Sequence, residues 1–65
     1  MSEIIFQRIA EDHHVSATVY AQWVKKRFIV KFIDNDYGET IETRIYDDED
    51  KAIAYARKLI GDNKP

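Results

Sequence analysis

One amphipathic segment near the carboxyl end constrains the fold more than any other feature of the chain. Its apolar side chains recur at positions i, i+1, i+4, i+7 and i+8, which on a helix form a single stripe about 120° wide. The stripe consists of Ala52, Ile53, Ala56, Leu59 and Ile60. A helix this short is not stable alone in water. The preceding residues must therefore supply an apolar surface against which the stripe packs.

Both ends of this segment carry helix-boundary signals. The first boundary is acidic, with Asp47, Asp48, Glu49 and Asp50. An aspartate there accepts a hydrogen bond from a free backbone N–H, and the other acids lie at the positive end of the helix dipole. Lys58 and Gly61 suit the other end, where a cation and a residue with positive φ are favoured. We expect a helix over residues 48–60 and a frayed tail over 61–65.

The residues before the helix alternate with a period of two. Residues 15–23 alternate without exception, and residues 27–33 and 40–46 continue the pattern, which is typical of strands with one buried face. Residues 4–10 are rich in strand-favouring types but do not alternate cleanly. They predict a further strand, which pairs either within the sheet or with another copy of the chain.

The sequence between the strands predicts two turns of different character. Gly38 can adopt the left-handed conformation in the polar turn after residue 33. Lys25 and Lys26 separate the earlier strands at hairpin spacing, but no Gly or Asn is present there to take positive φ. That turn is therefore either longer than two residues or accompanied by a bulge.

These elements predict an α+β fold, an antiparallel β-meander of three or four strands with the helix packed across one face. A chain of 65 residues without cysteine forms one domain that holds by packing alone or with help from oligomerisation. The helix is expected to cover one side of the sheet, namely Val15, Val19, Phe28, Val30, Phe32, Ile41 and Ile45.

Composition excludes several classes of function. The start Met1-Ser2-Glu3 has no basic segment followed by an apolar run, and no stretch of about 18 apolar residues occurs. The formal net charge of −2 gives no overall attraction to nucleic acid or anionic lipid. We therefore expect a soluble cytosolic protein that does not associate with membranes.

No constellation of side chains indicates catalysis, a metal or a cofactor. The chain has only two serines and no glycine-rich phosphate loop. Residues 34–38 partly match a calcium loop, but Gly38 and Ile45 occupy positions five and twelve, where that loop requires an acid and Glu. No Cys or third His is present to complete a metal set with His13 and His14. The neighbouring Glu11 and Asp12 could supply oxygen ligands, but a solvated loop is favoured. We expect a protein that is not an enzyme.

The sheet face turned away from the helix is the most informative candidate site. It is expected to carry Thr18 and the candidate partner-binding residues Tyr20, Ile29, Lys31, Ile33, Arg44 and Tyr46. This is more apolar surface than solubility requires, and Tyr and Arg are enriched at binding hot spots. Three alternatives remain open: the N-terminal strand covers the face, Trp23 covers it, or a homodimer buries it.

Acidic residues provide a second candidate surface for a partner. They gather at the turn after residue 33 and at the helix start, and the predicted acidic patch consists of Asp34, Asp36, Asp47, Asp48, Glu49 and Asp50. A run of like charges is usually only a solvated surface. For the run over residues 47–50, a helix start is favoured over a metal site or a site for a basic partner.

The pattern of the chain resembles a known module. It consists of Arg-Phe-Ile-Val-Lys-Phe over residues 27–32, a polar turn with Gly38, a strand over 40–46, and Asp48, Ala52 and Ala56 in the helix. This resembles the arm-type DNA-binding domains of tyrosine recombinases, whose three-stranded sheet lies in the major groove. The resemblance implies that Tyr20, Lys31, Arg44 and Tyr46 face DNA. In size and style the chain is also similar to stand-alone small phage proteins that bind and block host proteins.

The leading hypothesis is a small non-enzymatic protein-binding module, an accessory or regulatory protein of phage or mobile-element type. It would dock through the helix-free sheet face or the acidic turns. DNA binding through the same face, or a structural homodimer, is the alternative.

Overall fold

The computed structural model describes residues 3–61 and has four strands followed by one helix. The elements are β1 (Glu3–Ile9), β2 (Val15–Gln22), β3 (Arg27–Asp34), β4 (Glu39–Tyr46) and α1 (Glu49–Leu59). The strands form one antiparallel sheet in the order β1-β2-β3-β4. The helix packs on one side of this sheet, so the predicted two-layer α+β fold is confirmed.

The helix begins and ends where its boundary residues predict. The Asp48 side chain accepts hydrogen bonds from the backbone N–H groups of Asp50 and Lys51, at 2.8 and 3.3 Å. At the other end Gly61 adopts a φ of +75° and donates its N–H to the Lys58 carbonyl. The aspartate therefore acts as the N-cap and satisfies two of the amides that a helix start leaves free.

Small side chains let the helix approach the sheet closely. The buried core consists of Ala17, Val19 and Ala21 from β2, Phe28 and Val30 from β3, and Ala52 and Ala56 from α1. Val19 and Val30 are almost completely excluded from solvent. Each such side chain contributes roughly 1.5–3 kcal/mol relative to full exposure. The core therefore lies between α1 and the two central strands.

A bulge explains why β1 does not alternate cleanly. Ile4 pairs with Tyr20 and Phe6 pairs with Val19, which leaves Ile5 as an extra residue on β1. A bulge of this kind shifts the facing of the side chains on either side of it. Ile5 and Phe6 both pack against the core. The N-terminal strand thus pairs within the sheet rather than with another copy.

The apolar pattern of β4 predicts that its isoleucines face the helix, but the strand is turned the other way. Tyr46 pairs with Phe28 and Arg44 pairs with Val30, and directly paired residues of antiparallel strands share a face. The prediction that Arg44 and Tyr46 lie on the helix-free face is therefore wrong. Ile41 and Ile45, predicted to lie under the helix, are 55% and 58% exposed.

The physical reason is that β4 is an edge strand. The buried part of the core comes from β2, β3 and α1 and includes no residue of β4. Helix-side positions of β4 therefore meet only the rim of the helix, where Tyr55 lies beside Tyr46 with 5.8 Å between ring centroids. Long side chains with an apolar stem and a polar tip suit such a position. The apolar isoleucines are thereby left on the other face.

The turn between β2 and β3 is longer than two residues. The N–H groups of Lys25 and Lys26 donate to the carbonyls of Gln22 and Trp23. Lys26 itself adopts a φ of +53°, so a lysine takes the left-handed position that usually favours Gly or Asn. Gly38 has a φ of +69° in the β3–β4 turn, as its sequence predicts.

Candidate docking surface on the helix-free sheet face

The side of the sheet opposite α1 is built from three rows of paired residues, which together we call the open face. The first apolar row is Ile4, Tyr20, Ile29 and Ile45. The central polar row is Gln7, Thr18, Lys31 and Thr43. The second apolar row is Ile9, Ser16, Ile33 and Thr40, with Ile41 in a bulge beside Thr40. Each row crosses all four strands.

Large apolar side chains on this face remain in contact with solvent. Ile4, Ile9 and Ile45 are 52%, 59% and 58% exposed. Tyr20, Ile29 and Ile33 are half-buried by their neighbours in the rows. The first apolar row therefore forms a continuous apolar strip from one edge of the sheet to the other. Contiguous apolar patches of this kind mark interaction sites more often than isolated apolar residues do.

The central polar row is held in place by its own contacts. Gln7 Nε2 donates to Thr18 Oγ1 at 3.3 Å, and the Lys31 ammonium lies 5.2 Å from the centroid of the Tyr20 ring. Thr18 is only 1% exposed, although no helix lies over it. A cation over an aromatic face is electrostatically stabilised. The positive charge of Lys31 is thus positioned next to the first apolar row.

Within residues 3–61, two predicted covers of the open face are excluded. Strand β1 lies in the plane of the sheet beside β2. Trp23 lies edge-on to Phe28 of the core, with 5.7 Å between ring centroids, and its Nε1 donates to Glu3 at 3.0 Å. Both contacts are on the helix side, since Phe28 belongs to the core. Burial by a second copy stays a prediction.

The open face carries positive charge and no negative charge. Lys31 is the charged residue of the three rows, and Arg27 lies at the end of β3 beside them, where its Nε donates to Gln22 Oε1 at 2.8 Å. No carboxylate of the described residues belongs to these rows. The open face is therefore cationic and apolar, although the chain has a net charge of −2.

The predicted acidic patch divides into two groups. Asp34 and Asp36 lie at the β3–β4 turn, whereas residues 47–50 follow the other end of β4, a strand of 8 residues. Such a strand separates its ends by roughly 25 Å. Asp48 is engaged as the helix N-cap, and Asp36 Oδ2 is 2.9 Å from His14 Nδ1. The six acids do not form one surface, so that grouping is wrong.

Arg44 takes part in a clasp that joins β4 to α1, a contact that the sequence pattern did not reveal. The Tyr55 hydroxyl donates to the Glu42 carboxylate, and Arg44 Nε donates to the same carboxylate at 3.0 Å. The guanidinium of Arg44 lies 4.8 Å from the centroid of the Tyr55 ring. The signal in the sequence was Tyr55, which flanks the helix stripe and needs a polar partner for its hydroxyl.

These contacts shift the protonation equilibria of the clasp. The hydrogen bond from Tyr55, assisted by Arg44, lowers the pKa of Glu42 below its ordinary value of 4.5. The same hydrogen bond raises the pKa of Tyr55 above its ordinary value of 10.0. Glu42 is therefore ionised and Tyr55 is protonated at neutral pH. The clasp stabilises the edge strand and does not resemble a reactive site, because each group has a partner.

The structure thus keeps Tyr20, Ile29, Lys31 and Ile33 together on the open face and removes Arg44 and Tyr46 from it. Sequence reasoning missed the isoleucines of the edge strands, which are Ile4, Ile9, Ile41 and Ile45. The run of three apolar residues at positions 4–6 was the signal for the bulge that turns Ile4 outward.

Among residues 3–61, no three His, Asp or Glu side chains are grouped in a way that could hold a metal ion. The helix formed by these residues, α1, lacks the length and apolar character needed to cross a bilayer. Comparisons with protein-family models, with curated proteins and with solved structures find no match to this chain.

Proposed function

We propose that this protein is a non-enzymatic protein-binding module that docks a partner on the open face. The observation that carries the proposal is the first apolar row, which crosses the whole sheet and ends at both edges in an isoleucine more than half exposed. Covering an apolar surface of this extent with another apolar surface removes both from water and stabilises the complex. A small accessory or regulatory protein acts through such a surface.

The face is a better docking surface than the edges of the sheet. An unpaired edge strand can add a further strand, but bulges interrupt the regular ladder on which this pairing depends. Strand β1 carries its bulge at Ile5, and β4 carries one at Ile41. Both edges are therefore poor templates for strand addition.

The size of the face limits the area that a partner can bury. Strands lie about 4.8 Å apart and rise about 3.3 Å per residue, so four strands of this length present roughly 500 Å² to a partner. The total area buried on both sides is then about 1,000 Å², at the low end for specific complexes. We expect a reversible complex, in which the apolar rows supply most of the affinity.

The alternative of DNA binding loses support from the placement of β4. Two of its four expected contact residues, Arg44 and Tyr46, lie on the helix side. Lys31 and Arg27 remain, with Lys25 and Lys26 in the adjoining β2–β3 turn. Four cations neutralise about four phosphates at most, fewer than the roughly six to ten contacts that give a protein strong affinity for DNA. The isoleucine side chains of the apolar rows would also find no apolar surface to contact on a phosphate backbone. Protein binding is therefore the function that the geometry supports best.

The test is capture of a partner by matched variants. The face variant combines Ile4→Ser with Ile45→Ser, two residues that are more than half exposed, so the fold is expected to persist. The control variant combines Val24→Ser with Tyr37→Ser, which removes apolar side chains that are 91% and 80% exposed in turns away from the face. Circular dichroism verifies that both variants are folded.

Each tagged protein is incubated with a nuclease-treated extract of its source cells, and bound proteins are identified by mass spectrometry. We expect the wild type and the control variant to capture the same protein and the face variant to lose it. Titration of that purified protein into all three then measures the loss of affinity. Equal capture by the face variant would refute docking on the open face.

A further inference from the structure

The order of the rows along the strands suggests what kind of protein segment fits the open face. From Tyr20 in the first apolar row to Ser16 in the second is a distance of four residues along β2, which is roughly 13 Å. Lys31 belongs to the central polar row between them, and its ammonium lies 5.2 Å from the centroid of the Tyr20 ring, beside the first apolar row. A partner that covers both apolar rows therefore also covers a positive charge.

That buried charge requires a counter-charge from the partner. Removing an ammonium group from water without a partner is costly, and the cost exceeds what a few apolar contacts return. The three rows contain no carboxylate of the protein itself. The occupant must therefore place its own carboxylate opposite Lys31.

A second copy of this chain does not meet this requirement. In a two-fold dimer the same surface patch of both copies forms the interface. The central polar rows of the two copies would then face each other, with Lys31 of one copy approaching Lys31 of the other and no acid in the three rows to pair with either. Extended polyanions fit poorly as well. Acids lie at both ends of the strands. Asp36 lies at one end, and the four acids of residues 47–50 lie at the other, where they outnumber Lys25 and Lys26 of the β2–β3 turn. These acids would meet a bilayer or a duplex that extends past the face.

We propose that the open face binds an amphipathic helix of a partner protein in which one carboxylate lies between two apolar residues. This inference rests on the proposed protein-binding function. A helix rises 1.5 Å per residue, so 13 Å corresponds to about eight or nine residues. The recognised pattern is an apolar residue at i, Asp or Glu at i+4 and an apolar residue at i+8. Viewed along the helix axis, these three positions span about 80°, so they lie on one face of the helix.

The probe is a synthetic helical peptide with Leu at i and i+8 and Glu at i+4, and its matched control has Lys at i+4. Each is titrated into the isotope-labelled protein to about 1 mM, and backbone amide shifts are followed by NMR. We expect the Glu peptide to shift amides of β2 and β3 and to bind about tenfold more tightly than the Lys peptide. With the Lys31→Glu variant the preference is expected to reverse.

The outcomes separate this inference from the proposed function. Equal binding of both peptides, or no reversal with Lys31→Glu, overturns the carboxylate requirement and leaves apolar docking intact. No binding of either peptide up to about 1 mM overturns the helical occupant. Sedimentation as a dimer that Ile45→Ser abolishes would assign the face to a second copy. Binding to phosphatidylserine vesicles that the same substitution abolishes would assign it to a membrane.

Discussion

Truncation of Ile45 tests the facing of β4, on which the open face depends. Ile45→Ala removes three carbons, each worth about 0.8 kcal/mol when fully buried. Because Ile45 is 58% exposed, somewhat less than half of this amount is at stake, or about 1 kcal/mol. No closed cavity forms, since the side chain lies on the helix-free side. If Ile45 lay under the helix, the same substitution would cost about 2–5 kcal/mol.

Val30→Ala provides the matched comparison on the neighbouring strand. Val30 is 1% exposed and belongs to the core. Its truncation removes only two carbons, worth about 1.6 kcal/mol by transfer, and leaves a cavity that brings the cost to about 2–3 kcal/mol. The smaller deletion is therefore expected to be the more destabilising one. A larger loss of stability from the smaller deletion is expected only if Ile45 lies on the helix-free side, as observed.

Urea denaturation followed by circular dichroism measures both costs. A domain of this size has an unfolding free energy of about 3–10 kcal/mol and an m-value of about 1 kcal/mol per molar urea. Ile45→Ala should therefore lower the midpoint by about 1 M and Val30→Ala by about 2–3 M. A loss for Ile45→Ala equal to or larger than that for Val30→Ala would refute the facing of β4 and remove the first apolar row from the open face.

Two further predictions concern the helix and its clasp. Asp48→Ala should lower the unfolding free energy by about 1 kcal/mol in the same urea assay, whereas Asp47→Ala should change it by less than about 0.5; equal effects would mean that Asp48 is not the cap. Tyr55→Phe should cost stability in a pH-dependent way. At neutral pH the wild type is expected to have the higher free energy of unfolding. This difference is lost as pH falls through the Glu42 pKa, which lies below 4.5. It is also lost as pH rises through the Tyr55 pKa, which lies above 10.0. Urea midpoints of both proteins from acid to alkaline pH check this, and a difference that stays constant would contradict it.

The elements that the sequence predicts well are those in which several local signals agree. The helix has an apolar stripe, an aspartate cap and a terminal glycine, and it is observed at Glu49–Leu59. Strand β2 alternates over its whole length, and its core side is buried as expected. In both cases the facing follows from the pattern, because only one face is apolar enough to form a core.

The facing of β4 could not be predicted in this way. Alternation fixes the period of a strand but not which set of side chains turns to the core. In β4 one set is Ile and Thr and the other is Glu, Arg and Tyr, so hydrophobicity favours the wrong set. The deciding factors are its pairing with β3 and its distance from the helix, and both are properties of the assembled sheet. The same holds for Lys26, whose positive φ has no local residue signal.

The facing of this one edge strand determines both the apolar and the electrostatic character of the candidate site. The opposite facing would bury Ile45 and turn Glu42 and Arg44 toward solvent on the helix-free side. The sheet face would then carry a carboxylate beside Lys31 and would lose the end of its first apolar row. In the observed register Glu42 is satisfied by Tyr55 and Arg44 on the helix side, which leaves Lys31 without an acid in the rows around it. The clasp and the unmatched positive charge of the open face thus have a single structural cause, and a partner that supplies an acid is the consequence that the peptide titration measures.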